Sequence, residues 1–150
     1  MKVRRLKKAE NPPLTLLMLA DPSEILVKKY VEKGLCYIAE EERQVIGAYV
    51  LLPVKKEKME LINIAIAEAY QGKGLGKRLV MHAIEEAREQ GYKVMEVGTG
   101  NSSIGQLALY QKCGFRITHV EKDFFLQHYE KEIYENGIQC RDRIRLSQDI

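Results

Sequence analysis

The spacing of apolar residues changes period several times along this chain, and each change marks an element. Val3–Leu6 reads as a short strand. Leu14–Ala20 and Ser23–Lys33 read as helices. In the second, Ser23 suits an N-cap, Ile25, Leu26, Tyr30 and Val31 form an apolar stripe, and Gly34 closes the helix. Three β-rich runs follow, Leu35–Glu40, Val45–Val54 and Met59–Ile66, with Pro53 marking the end of the second. The charged turns between them are too short for a crossover helix, so the three runs predict an antiparallel meander.

After Ile66 the period becomes helical. Leu75, Leu79, Val80, Ala83, Ile84 and Ala87 line one face of a helix of about four turns, ended by Gly91. Val94–Gly98 reads as a buried strand, Ser102–Cys113 as a helix capped by Gly114, and Phe115–Val120 as a strand. Lys122–Tyr134 reads as a short helix or structured loop, Asn136-Gly137 as a turn, and Ile138–Leu146 as the last strand. The strand–helix–strand unit from 59 to 98 predicts two parallel strands joined by a right-handed crossover. No repeat or low-complexity linker interrupts the pattern, so residues 1–150 read as one domain.

Composition narrows the class. Hydrophobic residues make up 45% of the 150, which is too many for a disordered chain. The strictly apolar runs, Leu16–Ala20 and Ala48–Leu52, fall far short of the ~20 residues of a membrane span. The basic start Met1–Lys8 is separated from Leu14–Ala20 by Glu10-Asn-Pro-Pro, and Asp21-Pro22 follows in place of a small-residue cleavage site. A core helix is expected there, not an export signal. Three cysteines without CxxC spacing suit reduced thiols, and the expected location is cytoplasmic. A net charge of +3 without a dense basic stripe points away from nucleic acid and towards a phosphorylated small molecule at a local cluster.

That cluster is Gln71-Gly-Lys-Gly-Leu-Gly-Lys77, between a strand and a helix. A helix N-terminus offers unpaired N–H groups and about half a positive charge. Glycines let a ligand approach the backbone, and Lys73, Lys77 and Arg78 add charge, which together suit a pyrophosphate. A phosphate-binding P-loop is excluded: Gln71 stands where its first glycine belongs, and Arg78 where its Mg²⁺-binding Ser/Thr belongs. The glycine spacing and the preceding meander also exclude a dinucleotide-binding loop.

Gln71-x-x-Gly74-x-Gly76 resembles the acyl-CoA-binding signature of the GNAT superfamily of N-acyltransferases. Asn101 and Leu109-Tyr110-Gln-Lys-Cys-Gly114-Phe115 resemble that family's downstream stretch, and Glu60-Leu-Ile-Asn-Ile-Ala-Ile66 resembles its fourth strand. Together the three motifs cover roughly Met59 to Val120.

The resemblance implies an α/β (α+β) fold with a mixed, mostly antiparallel sheet of six or seven strands. Helices would cover both faces, and the fourth and fifth strands would splay apart. It implies a cytoplasmic N-acetyltransferase that moves an acetyl group from acetyl-CoA directly to an amine, with no metal. Backbone groups of Gln71, Gly72, Lys73, Gly74, Leu75, Gly76 and Lys77 would cradle the pyrophosphate. Backbone around Ile64, Ala65 and Ile66 would pair with the pantetheine arm, and an N–H near Ile66 would face the thioester oxygen. Asn101 and Ser103 would touch the cofactor. Tyr110 would protonate the departing thiolate, and Glu60 would serve as base.

The acceptor amine is expected to meet Pro13–Lys33 and Lys122–Asn136, where Glu24, Glu32, Glu130, Glu132 and Glu135 could attract a cation. His82 is expected on the solvated side of its helix, and an exposed terminal strand makes a homodimer reasonable. The alternative reading is an acyl-CoA sensor on the same fold.

Overall fold

The computed structural model describes residues 1–150. The chain runs β1 (Lys2–Arg5), α1 (Leu14–Leu17), α2 (Glu24–Lys33), β2 (Leu35–Glu41), β3 (Gln44–Lys55), β4 (Lys58–Ile66), α3 (Leu75–Glu89), β5 (Val94–Gly100), α4 (Ile104–Lys112), β6 (Arg116–Glu121), α5 (Phe124–His128), β7 (Tyr134–Glu135), β8 (Ile138–Gln139) and β9 (Arg143–Asp149). A 3-10 turn at Glu68–Tyr70 separates β4 from the glycine-rich loop.

Seven strands form one sheet in the order β1-β2-β3-β4-β5-β9-β6. The expected meander is β2-β3-β4, antiparallel throughout. The crossover through α3 makes β4 and β5 the sheet's single parallel pair. Helices α3 and α4 cover one face, and α1 and α2 cover the other. The α3 stripe behaves as its periodicity requires: Leu79, Val80, Ala83, Ile84 and Ala87 are all buried against Tyr49, Met59, Leu61, Met95 and Val97. Each large side chain so buried contributes roughly 1.5–3 kcal/mol. On the second face Leu17, Val27 and Tyr30 pack on Ile38, Ala48 and Val50. Ser23 caps α2, its hydroxyl accepting from the Leu26 N–H at 3.2 Å.

Several expectations are corrected. The run Ile138–Leu146 is not one strand: Ile138–Gln139 folds back on Tyr134–Glu135 through a turn with φ of 54° at Asn136 and 72° at Gly137. The chain then breaks at Cys140–Asp142 and re-enters the large sheet as β9. Asn101 holds that break, its Oδ1 accepting from the Arg141 and Asp142 N–H groups at 2.8 and 3.0 Å. The last strand, β9, therefore lies between β5 and β6, and the sheet edges are β1 and β6.

Pro53 does not end β3, which runs on to Lys55; the register shifts just after the proline, the kind of place where a strand tolerates one. His82 is not solvated but half-buried, 2.7 Å through Nδ1 from the Tyr49 hydroxyl. Tyr49 is fully buried, and its phenol needs a partner that only the tertiary fold supplies.

Candidate active site

The parallel pairing of β4 and β5 stops early. Its registers run from Lys58–Val94 to Leu61–Val97 and no further. Beyond that point β4 keeps only β3 as neighbour and β5 keeps only β9, so the two strands open into a V. A bulge accompanies the opening: Val50 faces Asn63 and Leu51 faces Leu61, which leaves Ile62 as the extra residue of β4. The edge of β4 from Ile62 to Ile66 therefore presents main-chain groups to the gap, including those of Ile64, Ala65 and Ile66.

The glycine-rich loop closes the open end of β4. Gln71 donates through Nε2 to the Ile66 carbonyl at 2.9 Å, tying the start of the loop to the end of the strand. Gly72 and Gly74 have φ of 77° and 80°, a conformation costly for other residues, and a Cβ at either would meet nothing within 4 Å. Gly74 is the N-cap of α3, and no side chain caps the helix, so its first N–H groups point outwards unclaimed. Gly76 lies against Leu109 of α4, where a Cβ would come to 3.4 Å. Gln71 to Gly74, Lys77 and Arg78 are exposed, and the Lys73 ammonium sits 5.4 Å over the Tyr70 ring.

Tyr110 lies on the α3/α4 side, 4% exposed, edge-on to Phe115 at 5.8 Å between centroids. Its hydroxyl accepts from Gln106 Nε2 at 3.2 Å. Burial pushes this phenol up to about 12, and the nearby Glu60 charge adds to the rise. The hydroxyl therefore stays a hydrogen-bond donor throughout the neutral range.

Glu60 projects from the opposite face of β4, since its neighbours Met59 and Leu61 enter the α3 core. There Arg145 of β9 bridges the foot of the V, with Nη1 3.1 Å from Glu60 and Nη2 3.0 Å from Glu96. Lys58 completes the chain to Glu96 at 2.9 Å. Burial alone would raise the Glu96 carboxyl, but hydrogen bonds from Lys58 and Arg145 outweigh it and hold it below its ordinary range. Gly98 makes the bridge possible: a Cβ there would stand 2.8 Å from Arg145 Nη1.

The other site residues read from the sequence have structural partners. Besides its grip on 141–142, Asn101 donates to the Gln139 carbonyl at 3.1 Å. Ser103 donates to Glu135 at 2.8 Å, and Asn136 of the β7–β8 turn donates to the Ser102 carbonyl at 2.8 Å. These bonds dock the β7–β8 hairpin on the start of α4.

Sequence reasoning missed Arg145, Asp21, Tyr129 and Asn63. On the α1/α2 side Asp21 accepts from Tyr30 at 3.0 Å and from Tyr129 at 2.9 Å, and Asn63 donates to Tyr30 at 2.8 Å. Only the polar Asn63, within the apolar stretch Leu61–Ile66, hinted at this. No helix in the structure is long and apolar enough to cross a membrane.

The two parallel strands thus form a V with free main-chain groups along β4, closed at one end by an uncapped glycine-rich helix start. The sequence model of the acetyltransferase (GNAT) family matches residues 5–115, and the chain belongs to that family. It is 54% identical over 135 residues, 90% of this chain and 87% of the other, to the uncharacterised N-acetyltransferase YvbK of Bacillus subtilis. Among solved structures it resembles an IAA acetyltransferase from Bacillus cereus, with 54% identity, 99% of both chains covered and a TM-score of 0.95. A GNAT family acetyltransferase from Elizabethkingia anophelis with acetyl-CoA bound has 44% identity, 99% and 97% coverage and a TM-score of 0.97.

Proposed function

We propose that this chain transfers an acetyl group from acetyl-CoA to a primary amine by direct attack. The observation that carries the reading is the loss of β4–β5 pairing beyond Leu61 and Val97, beside the uncapped start of α3. The acetyl-CoA bound by the Elizabethkingia relative supports acetyl-CoA as co-substrate here. Strands β1 and β9 come from opposite ends of the chain and join one sheet, which supports a single domain over 1–150.

In this reading the N–H groups from Gln71 to Lys77 hold the pyrophosphate through the helix terminus. The pantetheine arm lies along Ile64, Ala65 and Ile66 as an added strand, using the donors and acceptors that β5 leaves free. A β4 N–H towards Ile66 receives the thioester oxygen as negative charge develops on it. Tyr110 donates to the departing sulfur from the α3/α4 side. Glu60, on the other side of the sheet, is the carboxylate at the foot of the V that accepts the amine's proton, directly or through water. Its bond to Arg145 fixes where that carboxylate stands. Asn101 and Ser103 contribute by holding the start of α4 and the facing hairpin against the cofactor.

The test has two stages. Calorimetry should show acetyl-CoA and CoA binding, with ATP and NAD silent. A library of primary amines should then give acetyl-CoA-dependent release of free thiol with at least one member. Binding of ATP but not CoA overturns the proposal.

A further inference from the structure

On the α1/α2 face, two arms of the V are joined by a polar cluster that the transfer chemistry above does not use. Asn63, at the bulge of β4, donates to Tyr30, and Tyr30 donates to Asp21 in the loop between α1 and α2. Tyr129, which follows α5, donates to the same carboxylate. Its ring packs on Phe125 at 5.4 Å, and Phe125 lies 3.6 Å from where a Cβ on Gly100 of β5 would stand. The Asp21–Tyr129 bond therefore links what is packed on the free arm of β4 to what is packed on the free arm of β5.

The hydrogen-bond inventory of this cluster is one-sided. Every donor is used. Tyr30, Tyr129 and the Ser23 N–H all donate to Asp21, and the two Asn63 amide protons go to the Leu17 carbonyl and the Tyr30 oxygen. The Leu17 carbonyl can only accept, which fixes the amide orientation of Asn63. What remains open is acceptor capacity alone. Asn63 Oδ1 is buried without a partner, in a residue only 4% exposed. Tyr129 has lone pairs that no donor meets, and Asp21 Oδ2 takes only one bond. No basic side chain pairs with Asp21, although it remains partly open to solvent.

A negative charge without an ion-pair partner, in a hydrogen-bonded cluster whose spare capacity is all acceptor, complements a group that is positive and only donates. A primary ammonium is that group, with three N–H donors and no lone pair. We infer that Asp21, Tyr30, Tyr129 and Asn63 form the station that captures the acceptor as a primary ammonium before transfer. The inference rests on the acetyl-transfer reading and deepens it. The favoured acceptor is an aliphatic amine without a carboxylate beside the nitrogen, because the cluster has no free donor for one.

The test uses the whole protein with tyrosine labelled by ¹³C at Cζ, titrated with methylammonium chloride. Tetramethylammonium chloride, which has the charge but no N–H, is the control at equal ionic strength. Methylammonium should move the Tyr30 and Tyr129 signals with one saturating midpoint and leave the exposed Tyr134 unmoved. Tetramethylammonium should move neither tyrosine of the cluster. Asp21→Asn should abolish the response. Tyr129→Phe, which leaves the Asp21–Tyr30 bond in place, should raise the midpoint severalfold and serves if the first variant fails to fold. No response in the wild type, an equal response to both cations, or midpoints unchanged in a folded variant overturns the inference. Acetyl-CoA calorimetry on the same samples separates the failures. Binding without a methylammonium response defeats this station alone, whereas no binding defeats the transfer reading.

Discussion

The guanidinium of Arg145 lies 3.1 Å from the carboxylate of Glu60, which stands one register before the last pairing of β4 with β5. Their side chains are 9% and 14% exposed, so this is a largely desolvated pair. Removing one member leaves charge without compensation. Arg145→Met should destabilise the fold by roughly 3–5 kcal/mol in urea unfolding, because Glu60 and Glu96 then face each other. Adding Glu60→Gln should recover part of that loss. A double variant no more stable than Arg145→Met would show that the pair is not what Arg145 supports.

Acid should destabilise the protein through the same region. Glu96 titrates low for the reasons given above, and Glu121 titrates low chiefly because Arg143 donates to it at 2.7 Å. A carboxyl depressed in the folded state contributes stability that is complete above its unfolded value, about 4.3 for Glu. That contribution disappears as pH falls below about 4.3 towards the folded values. Thermal melting at constant ionic strength should show Tm falling across this window, and the fall should be shallower in Glu96→Gln. An identical slope in that variant would remove Glu96 as a source.

The proposed acid is tested by Tyr110→Phe, which keeps the ring against Phe115. When chemistry limits the rate, kcat should fall by roughly 10²–10⁴-fold. Acetyl-CoA affinity should stay near that of the wild type. Stability should change by only about 1 kcal/mol, from the bond with Gln106. Stopped-flow thiol release with the best amine of the library measures the first quantity and calorimetry the second. An unchanged kcat would take Tyr110 out of the mechanism.

In the glycine-rich loop, backbone conformation and available space can be separated. Gly74→Ala meets no neighbour but must hold a positive φ, at a cost of roughly 1–2 kcal/mol. If the first turn of α3 holds the pyrophosphate, CoA affinity should fall while affinity for pantetheine, which lacks the diphosphate, stays the same. Equal losses for both ligands would place the diphosphate elsewhere.

Asn101→Ala separates structure from cofactor contact. Three hydrogen bonds from this side chain hold Gln139, Arg141 and Asp142. Its loss should lower stability by about 1–3 kcal/mol, given the three backbone groups left without this partner. A rise in the KM for acetyl-CoA with stability unchanged would instead point to direct contact.

The local pattern determined most of the elements and the glycine-rich loop, because helix and strand periodicity and turn chemistry act over a few residues. Ser23 capped α2, Leu75 to Ala87 formed one buried stripe, and Gly72 and Gly74 took positive φ, all from short-range physics. The stretch that resembles the acyl-CoA signature was legible for the same reason: it is one loop and one helix start. What lay beyond the sequence were contacts between distant segments. Arg145 meets Glu60 across 85 positions and Tyr129 meets Asp21 across 108, and no periodicity records such pairs. The split of Ile138–Leu146 into a hairpin and a central strand was also a tertiary decision. β-pairing is satisfied by whichever edge is free, and the free edges were those of β5 and β6. The sequence thus specified the loop proposed to hold the cofactor. Only the fold decided which charges stand around the gap where the acceptor would enter.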